Sequence, residues 1–314
     1  MTVCVAALCE NGNAIVIAAD KMIGMGYVEG EPDISKQRKL HKDCWVLFAG
    51  EDITPVFDII DYAREILEKD YSVEVNNPAP LHEVMKSVEK GFEKKRTQDA
   101  ERLYLSSTGW TLERFNREGH QILPNAAQIQ ADIDRFRPVI QLLVIGFDDN
   151  GVGYVFGLDG YGDAPGIAKR LDIPGFHSIG SGSTVATFML YYRHMSPKIG
   201  AREGLYYVLE AKYYGEQASG VGPSTDLFIA KPGQELVPVS DEKIIEKKLI
   251  PICSALEPKS LRKRDRETLN GLAELQGFNK IKEPSKRRKK KLIVVDTSMS
   301  VSTATMRLIP TGIR

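Results

Sequence analysis

The order of apolar segments predicts an α+β fold of two antiparallel sheets flanked by helix pairs, a four-layer α/β/β/α sandwich. Three observations point there. The chain opens with two short apolar runs around Glu10-Asn11-Gly12, and Asn-Gly is a strong hairpin signal. Strand-like runs return only after a block of roughly eighty residues with helical spacing. A second pair of helical segments then precedes the last apolar run. The order is ββ…β–αα–ββ–αα–β, and a generic α+β fold is the plainer alternative.

Residues 2–9 and 13–20 read as the first two strands. Residues 43–49, Asp-Cys-Trp-Val-Leu-Phe-Ala, form a third and end at Gly50. Ile53, Val56, Phe57, Ile60, Ala63, Ile66 and Leu67 recur at helical spacing and predict a helix over 53–69. Residues 70–80 are a Pro/Asn-rich connection. A second helix is predicted over 81–103, with further helical pieces at 111–118 and 125–136. Strands resume at 139–147 and, after the turn Asp149-Asn150-Gly151, at 152–158. Residues 175–180 lead through Gly180-Ser181-Gly182-Ser183 into a helix over 184–195. A helix over 201–216 carries Leu205, Val208, Leu209 and Ala211 as apolar positions, and 225–230 is the last strand.

At 314 residues and 42% hydrophobic, the chain can bury the core of one large domain or two small ones. No apolar run reaches the roughly 18 residues a membrane span needs, and the N-terminus lacks the layout of a signal peptide. The four cysteines, Cys4, Cys9, Cys44 and Cys253, show neither CxxC pairing nor zinc spacing. Reduced cysteines in strand-like runs behave as small hydrophobes, and a cytoplasmic location is the natural inference. The formal net charge is zero but unevenly spread. Residues 1–257 hold 27 basic and 37 acidic side chains, whereas 258–291 hold 13 basic and 4 acidic ones. An acidic domain over 1–257, with a helical insertion at about 81–136, therefore carries a basic extension over 258–314. The extension reads as a polar helix (262–276), the run Lys286–Lys291 and a Ser/Thr-rich flexible end. Such a run is first of all a solvated tail; contact with nucleic acid or an acidic partner is the less favoured reading.

Thr2 carries the functional argument. It follows Met1, and methionine aminopeptidases accept a small penultimate residue, so the mature chain is expected to begin at Thr2. A threonine hydroxyl is a poor nucleophile unaided. A free α-amine on the same residue, with an ordinary pKa of about 7.7–8.0, can serve as its base. Alone, Met-Thr is simply a common start. Four other elements sit where such a threonine would need them. Ile17-Ala18-Ala19-Asp20 ends the second strand, and the hairpin returns Asp20 to the chain start. Lys36 can lower the cost of forming the alkoxide and take part in proton transfer, although Lys39 and Lys42 compete locally. Gly50, ending a buried strand, lets a substrate carbonyl approach the backbone as an oxyanion hole requires. Gly180-Ser181-Gly182-Ser183 precedes a helix and so fits phosphate. It lacks the P-loop Gly-Lys-Ser/Thr and the full dinucleotide pattern, and Ser181 and Ser219 can instead supply hydroxyls around the amine.

Together these residues resemble the proteasome β-subunit and bacterial proteasome-like group of N-terminal nucleophile (Ntn) hydrolases, over roughly 2–70 and 139–230. Thr2 matches that family's catalytic threonine, Ala18-Ala19-Asp20 its Ala-Ala-Asp, Gly180-Ser181-Gly182 its Gly-Ser-Gly and Ser219-Gly220 a second Ser-Gly pair. The family's lysine and oxyanion-hole glycine stand fourteen residues apart, as Lys36 and Gly50 do and Lys39 does not. Two departures stand out. Glu216 replaces an Asp three residues before the second serine, and two extra residues lie between Thr2 and Asp20. The resemblance implies a threonine-nucleophile peptidase of Ntn-hydrolase fold in a homo-oligomeric ring or double ring, acting on peptides or unfolded protein, with an ATPase unfoldase as a possible partner. It implies no metal or organic cofactor. Asp20 would orient Lys36, and Ser181, Glu216 and Ser219 would order the amine. A catalytically inactive structural subunit and an Ntn acylase acting on a small amide are the alternatives.

Overall fold

The computed structural model describes residues 2–25, 28–30, 35–71, 78–161 and 164–239. The basic run 286–291, the domain boundary at 257 and Cys253 lie outside them.

Twelve strands form two five-stranded sheets and one short hairpin among these residues. The first sheet has the order β10-β1-β2-β11-β12, built from β1 (Cys4–Cys9), β2 (Ala14–Asp20), β10 (Phe176–Ile179), β11 (Thr225–Ala230) and β12 (Val237–Pro238). The second runs β5-β6-β7-β8-β9, from β5 (Gln37–His41), β6 (Cys44–Gly50), β7 (Ile140–Phe147), β8 (Gly153–Asp159) and β9 (Ala168–Arg170). All pairings in both are antiparallel. β3 (Ile23–Met25) and β4 (Val28–Gly30) pair only with each other.

Side-chain alternation then makes the layers. Cys4, Ala6 and Leu8 of β1 and Ile15, Ile17 and Ala19 of β2 pack against Trp45, Leu47, Leu143, Ile145 and Val155 of the second sheet. The opposite faces go to helices. Val5, Ala7, Val16 and Ala18 meet α4 (Ser183–Tyr192) and α5 (Ala201–Gly215). Val46, Phe48, Leu142, Val144 and Phe156 meet α1 (Thr54–Asp70) and α2 (Leu81–Tyr104). β1 and β2 are buried at every position because each sheet is covered on both faces. That explains why they read as continuous apolar runs. The helix–sheet–sheet–helix order expected from the sequence is the order observed.

α1 begins with Pro55 in its first turn, where a missing N–H costs nothing. Val56, Ile59, Ile60, Ala63 and Leu67 form its buried stripe. The apolar faces of α1 and α2 pack against the chain's own second sheet. Beyond α2, a short irregular helical stretch (112–122) and α3 (Ala126–Arg135) enclose a small core of Ala100, Leu105, Phe115, Ala126 and Ile133. The strands read from sequence return within a residue or two. The segment Gln37–His41, for which the apolar pattern predicts no strand, is the edge strand β5. The helix expected over 184–195 stops at Tyr192. Among the described residues no helix is long and apolar enough to cross a membrane. Cys4, Cys9 and Cys44 are buried free thiols. Burial holds all three above the usual thiol range, Cys9 and Cys44 at about 12, so they carry no reactive thiolate.

Candidate active site

Strand register builds the site. β1 and β2 pair with Cys4 opposite Ala19, so Val3 and Asp20 face each other one step further on. Asp20 N–H donates to the Val3 carbonyl at 3.1 Å, and Val3 N–H donates to Asp20 Oδ1 at 2.8 Å. Asp20 is fully buried. Its Oδ2 also accepts from the N–H groups of Met22 at 3.0 Å and Gly222 at 3.2 Å. Hydrogen bonds of this kind stabilise a buried carboxylate in its charged form.

Lys36 arrives from the other sheet. Its carbonyl accepts from Phe48 N–H at 3.4 Å, just before Gln37 pairs with Leu47. Lys36 Nζ, buried like Asp20, lies 3.0 Å from both Asp20 carboxylate oxygens and donates to the Thr2 hydroxyl. The ammonium therefore bridges an ion pair and the candidate nucleophile in a site shielded from water. Lys39 is elsewhere: it is exposed and pairs with Glu235. The competition between the two lysines resolves on geometry, with Lys36 alone of the pair at Thr2.

The Gly180–Gly182 turn closes over the chain start. Thr2 N–H donates to Ser181 Oγ at 3.3 Å, and Gly182 N–H donates to the Thr2 carbonyl at 3.2 Å. Ser181 Oγ is also 3.4 Å from the Thr2 carbonyl and 3.5 Å from that of Ser219. Gly180 has φ +91°, and a Cβ there would lie 2.1 Å from the Thr2 carbonyl oxygen. Only glycine serves at such a position. Gly180 N–H donates to Gln141 Oε1 at 2.7 Å. Two of the loop's N–H groups are thus already used within the protein, which counts against phosphate binding.

Thr2, Ala49, Gly50, Glu51, Val139, Gln141, Tyr161, Gly180 and Ser181 line a cavity of about 200 Å³. Gly50 stands in its wall, where a Cβ would come within 2.9 Å of the Val139 carbonyl oxygen. Close backbone approach thus needs glycine here whatever the chemistry. Tyr161, 46% exposed at the cavity rim, has its pKa raised above the ordinary 10 by partial burial and the charges of Asp159 and Glu51. A larger cavity of about 590 Å³ lies at the far end of the sandwich, around the β1–β2 turn, and holds none of the candidate residues.

The structure thus brings Thr2, Asp20, Lys36, Gly50 and Ser181 together. Ser219 is exposed, with its carbonyl toward Ser181. Glu216 accepts a 2.6 Å bond from Lys212, a partner that sequence reading did not give it. Two further residues were missed. Gln141 spans the gap between the sheets, its Nε2 donating to Asp159 Oδ1 at 2.9 Å while its oxygen holds Gly180. Its signal was a lone amide in the apolar run Ile140–Phe147. Lys212 is wholly buried, and its signal was a lysine four residues after Val208 and seven after Leu205, on the apolar stripe. No protein-family model matches the chain, and no curated protein does.

Proposed function

We propose that this chain is a threonine-nucleophile amidohydrolase of Ntn-hydrolase type that cleaves peptide bonds once Met1 is removed. The observation that carries the reading is Lys36 Nζ, buried between the Asp20 carboxylate and the Thr2 hydroxyl. A lysine kept dry, charge-balanced and on a hydroxyl is costly to bury, and it readies that hydroxyl for attack. The four-layer order and the position of Thr2 at the sheet end support the family likeness read from the motifs.

Thr2 Oγ attacks the substrate carbonyl carbon, and its proton passes through a water to the freed α-amine. The oxyanion that forms is assigned to the Gly50 N–H. As the carbon–nitrogen bond breaks, the amine returns the proton to the leaving nitrogen and leaves an ester on Thr2. A water, deprotonated by the same amine, then hydrolyses the ester and regenerates the hydroxyl. Lys36 balances the charge developing on Oγ, Asp20 holds Lys36, and Ser181 orients the amine. Assembly into a homo-oligomeric ring that admits peptides or unfolded protein is part of the proposal, and so is a cytoplasmic setting.

Intact mass together with reaction with an N-terminal-threonine-selective peptide epoxyketone tests it. That probe needs both the hydroxyl and the α-amine of one residue. The expected result is a mass lacking Met1 and one probe bound at Thr2. A chain with free Thr2 that stays unlabelled would sink the mechanism.

A further inference from the structure

We propose that Lys212 is a positioning residue of this site: it pins the 216–224 loop so that Gly222 holds Asp20 and Ser219 faces Ser181. The inference rests on the threonine mechanism above and deepens it.

Lys212 lies in the last turn of α5 with no exposed surface. Its Nζ is 2.6 Å from Glu216 Oε1 and 3.0, 3.1 and 3.2 Å from the carbonyl oxygens of Gly222, Pro223 and Ser224. An ammonium has three protons to give, so these four acceptors use all of its donor capacity. Three consecutive carbonyls aimed at one nitrogen mean that the loop curls around the charge. A buried cation is tolerated only when paired and hydrogen-bonded, and the Glu216 carboxylate supplies the pairing.

Three groups of this loop reach the site. Gly222, whose carbonyl Lys212 holds, donates its N–H to Asp20 Oδ2 at 3.2 Å. Ser224, also held, accepts from the N–H of Lys21, the residue next to Asp20, at 3.3 Å. The Ser219 carbonyl stands 3.5 Å from Ser181 Oγ. Lys212 therefore acts through the loop on Asp20, through Asp20 on Lys36, and so on Thr2. An apolar residue would suit this spot on the helix stripe better if packing were all it had to do. Glu216 fits the same account. Its side chain, one methylene longer than the Asp the family resemblance calls for, spans the step back to Lys212.

The test uses the full chain with Met1 removed, checked by intact mass, and the same peptide epoxyketone. Three quantities are read: the first-order labelling rate at saturating probe, the fraction of chains labelled, and the thermal midpoint. Lys212→Met should slow labelling by about tenfold to a hundredfold, the scale on which an ångström of misplacement far from the chemistry is felt, with half-saturation by the probe unchanged. Glu216→Asp withdraws the carboxylate from Lys212 and should slow labelling several-fold, although it restores the residue the resemblance calls for. A purely structural role would lower the labelled fraction and leave the rate of the folded chains alone. Lys212→Met labelled at the wild-type rate overturns the proposal, as does Glu216→Asp labelled at or above it. If Lys212→Met fails to fold, Glu216→Asp decides. A wild-type chain with free Thr2 that does not label defeats the threonine mechanism and this inference with it. Wild type that labels beside unaffected variants defeats only the inference.

Discussion

Lys36→Met separates two roles of one ammonium, the pairing with Asp20 that the structure shows and the readying of Thr2 that the proposal assigns. Methionine keeps most of the side-chain volume and removes the charge. Asp20 is then left fully buried with three backbone N–H donors, from Val3, Met22 and Gly222, and without its cation. Breaking a buried pair from one side costs about 3–5 kcal/mol. The three remaining donors put this case at the low end, about 3 kcal/mol. At about 2–4 °C per kcal/mol for a domain of this size, the thermal midpoint should fall by roughly 6–12 °C. Adding Asp20→Asn removes the stranded charge and should restore about 1–2 kcal/mol, comparable to the penalty for a charged group left unmatched. Recovery stays incomplete because an amide has one accepting oxygen where the carboxylate had two. Urea unfolding at fixed protein concentration measures the stabilities, and epoxyketone labelling measures the chemistry. Neither variant should label. Lys39→Ala is the control: its ion pair with Glu235 is exposed and worth at most about 1 kcal/mol. A Lys36→Met chain as stable as wild type would show that Asp20 does not depend on this ammonium. One that still labels at the wild-type rate would show that the ammonium does not ready Thr2.

Thr2→Ala should keep the fold and lose amidase activity by several orders of magnitude, as removed nucleophiles do, while Thr2→Ser keeps part of it; unchanged turnover in Thr2→Ala ends the proposal. Gly180→Ala forces a side chain into a left-handed conformation at about 1–2 kcal/mol and against the Thr2 carbonyl. It should therefore destabilise by more than about 2 kcal/mol and abolish labelling, and a stable, reactive variant would contradict the geometry around Thr2. His177, in β10, is held below the ordinary pKa of 6.5 by burial, against a smaller opposing pull from Asp159. As the pH falls the unfolded chain takes up this proton first, so the contribution of His177 is present above about pH 6.5 and is lost below it, toward the depressed native pKa. Thermal midpoints at pH 7.5 and 5.5 should therefore differ less in His177→Gln than in wild type; equal differences would show that His177 does not govern that slope.

What sequence made legible was whatever repeats along the chain. β1 and β2 are continuous apolar runs because both faces of their sheet are covered, and α1 announces itself through a stripe from Val56 to Leu67. The same periodicity hid β5. Gln37-Arg38-Lys39 is wholly polar because this part of an edge strand faces solvent, so its apolar content never rises above that of a loop. At the site, Thr2, Asp20 and Gly180 were recognisable as end-of-strand residues. What joined them was register: pairing Cys4 with Ala19 sets Val3 against Asp20, and pairing Gln37 with Leu47 carries Lys36 across to the first sheet. Local alternation does not show which lysine of Lys36, Lys39 and Lys42 turns inward, because it is broken in β5 by a register shift between Lys39 and His41; the fourteen-residue separation from Gly50 picks Lys36 only with the help of the family resemblance.

Gln141 and Lys212 were passed over for a different reason. Each stands where the pattern asks for an apolar side chain, and a pattern search treats one polar residue there as noise. Physically it is the reverse. A buried amide or ammonium costs free energy unless every partner is supplied, so a single polar residue on an apolar stripe marks a place where the fold brings several acceptors or donors to one point. Gln141 satisfies Asp159 and the Gly180 N–H at once, and Lys212 satisfies one carboxylate and three carbonyls. Gln141 holds the turn carrying Ser181, and Lys212 holds the loop that reaches Asp20. The proposed mechanism, in which the Thr2 hydroxyl stays on its lysine, calls for such supports on rigid elements. A β-strand and a helix end provide them here.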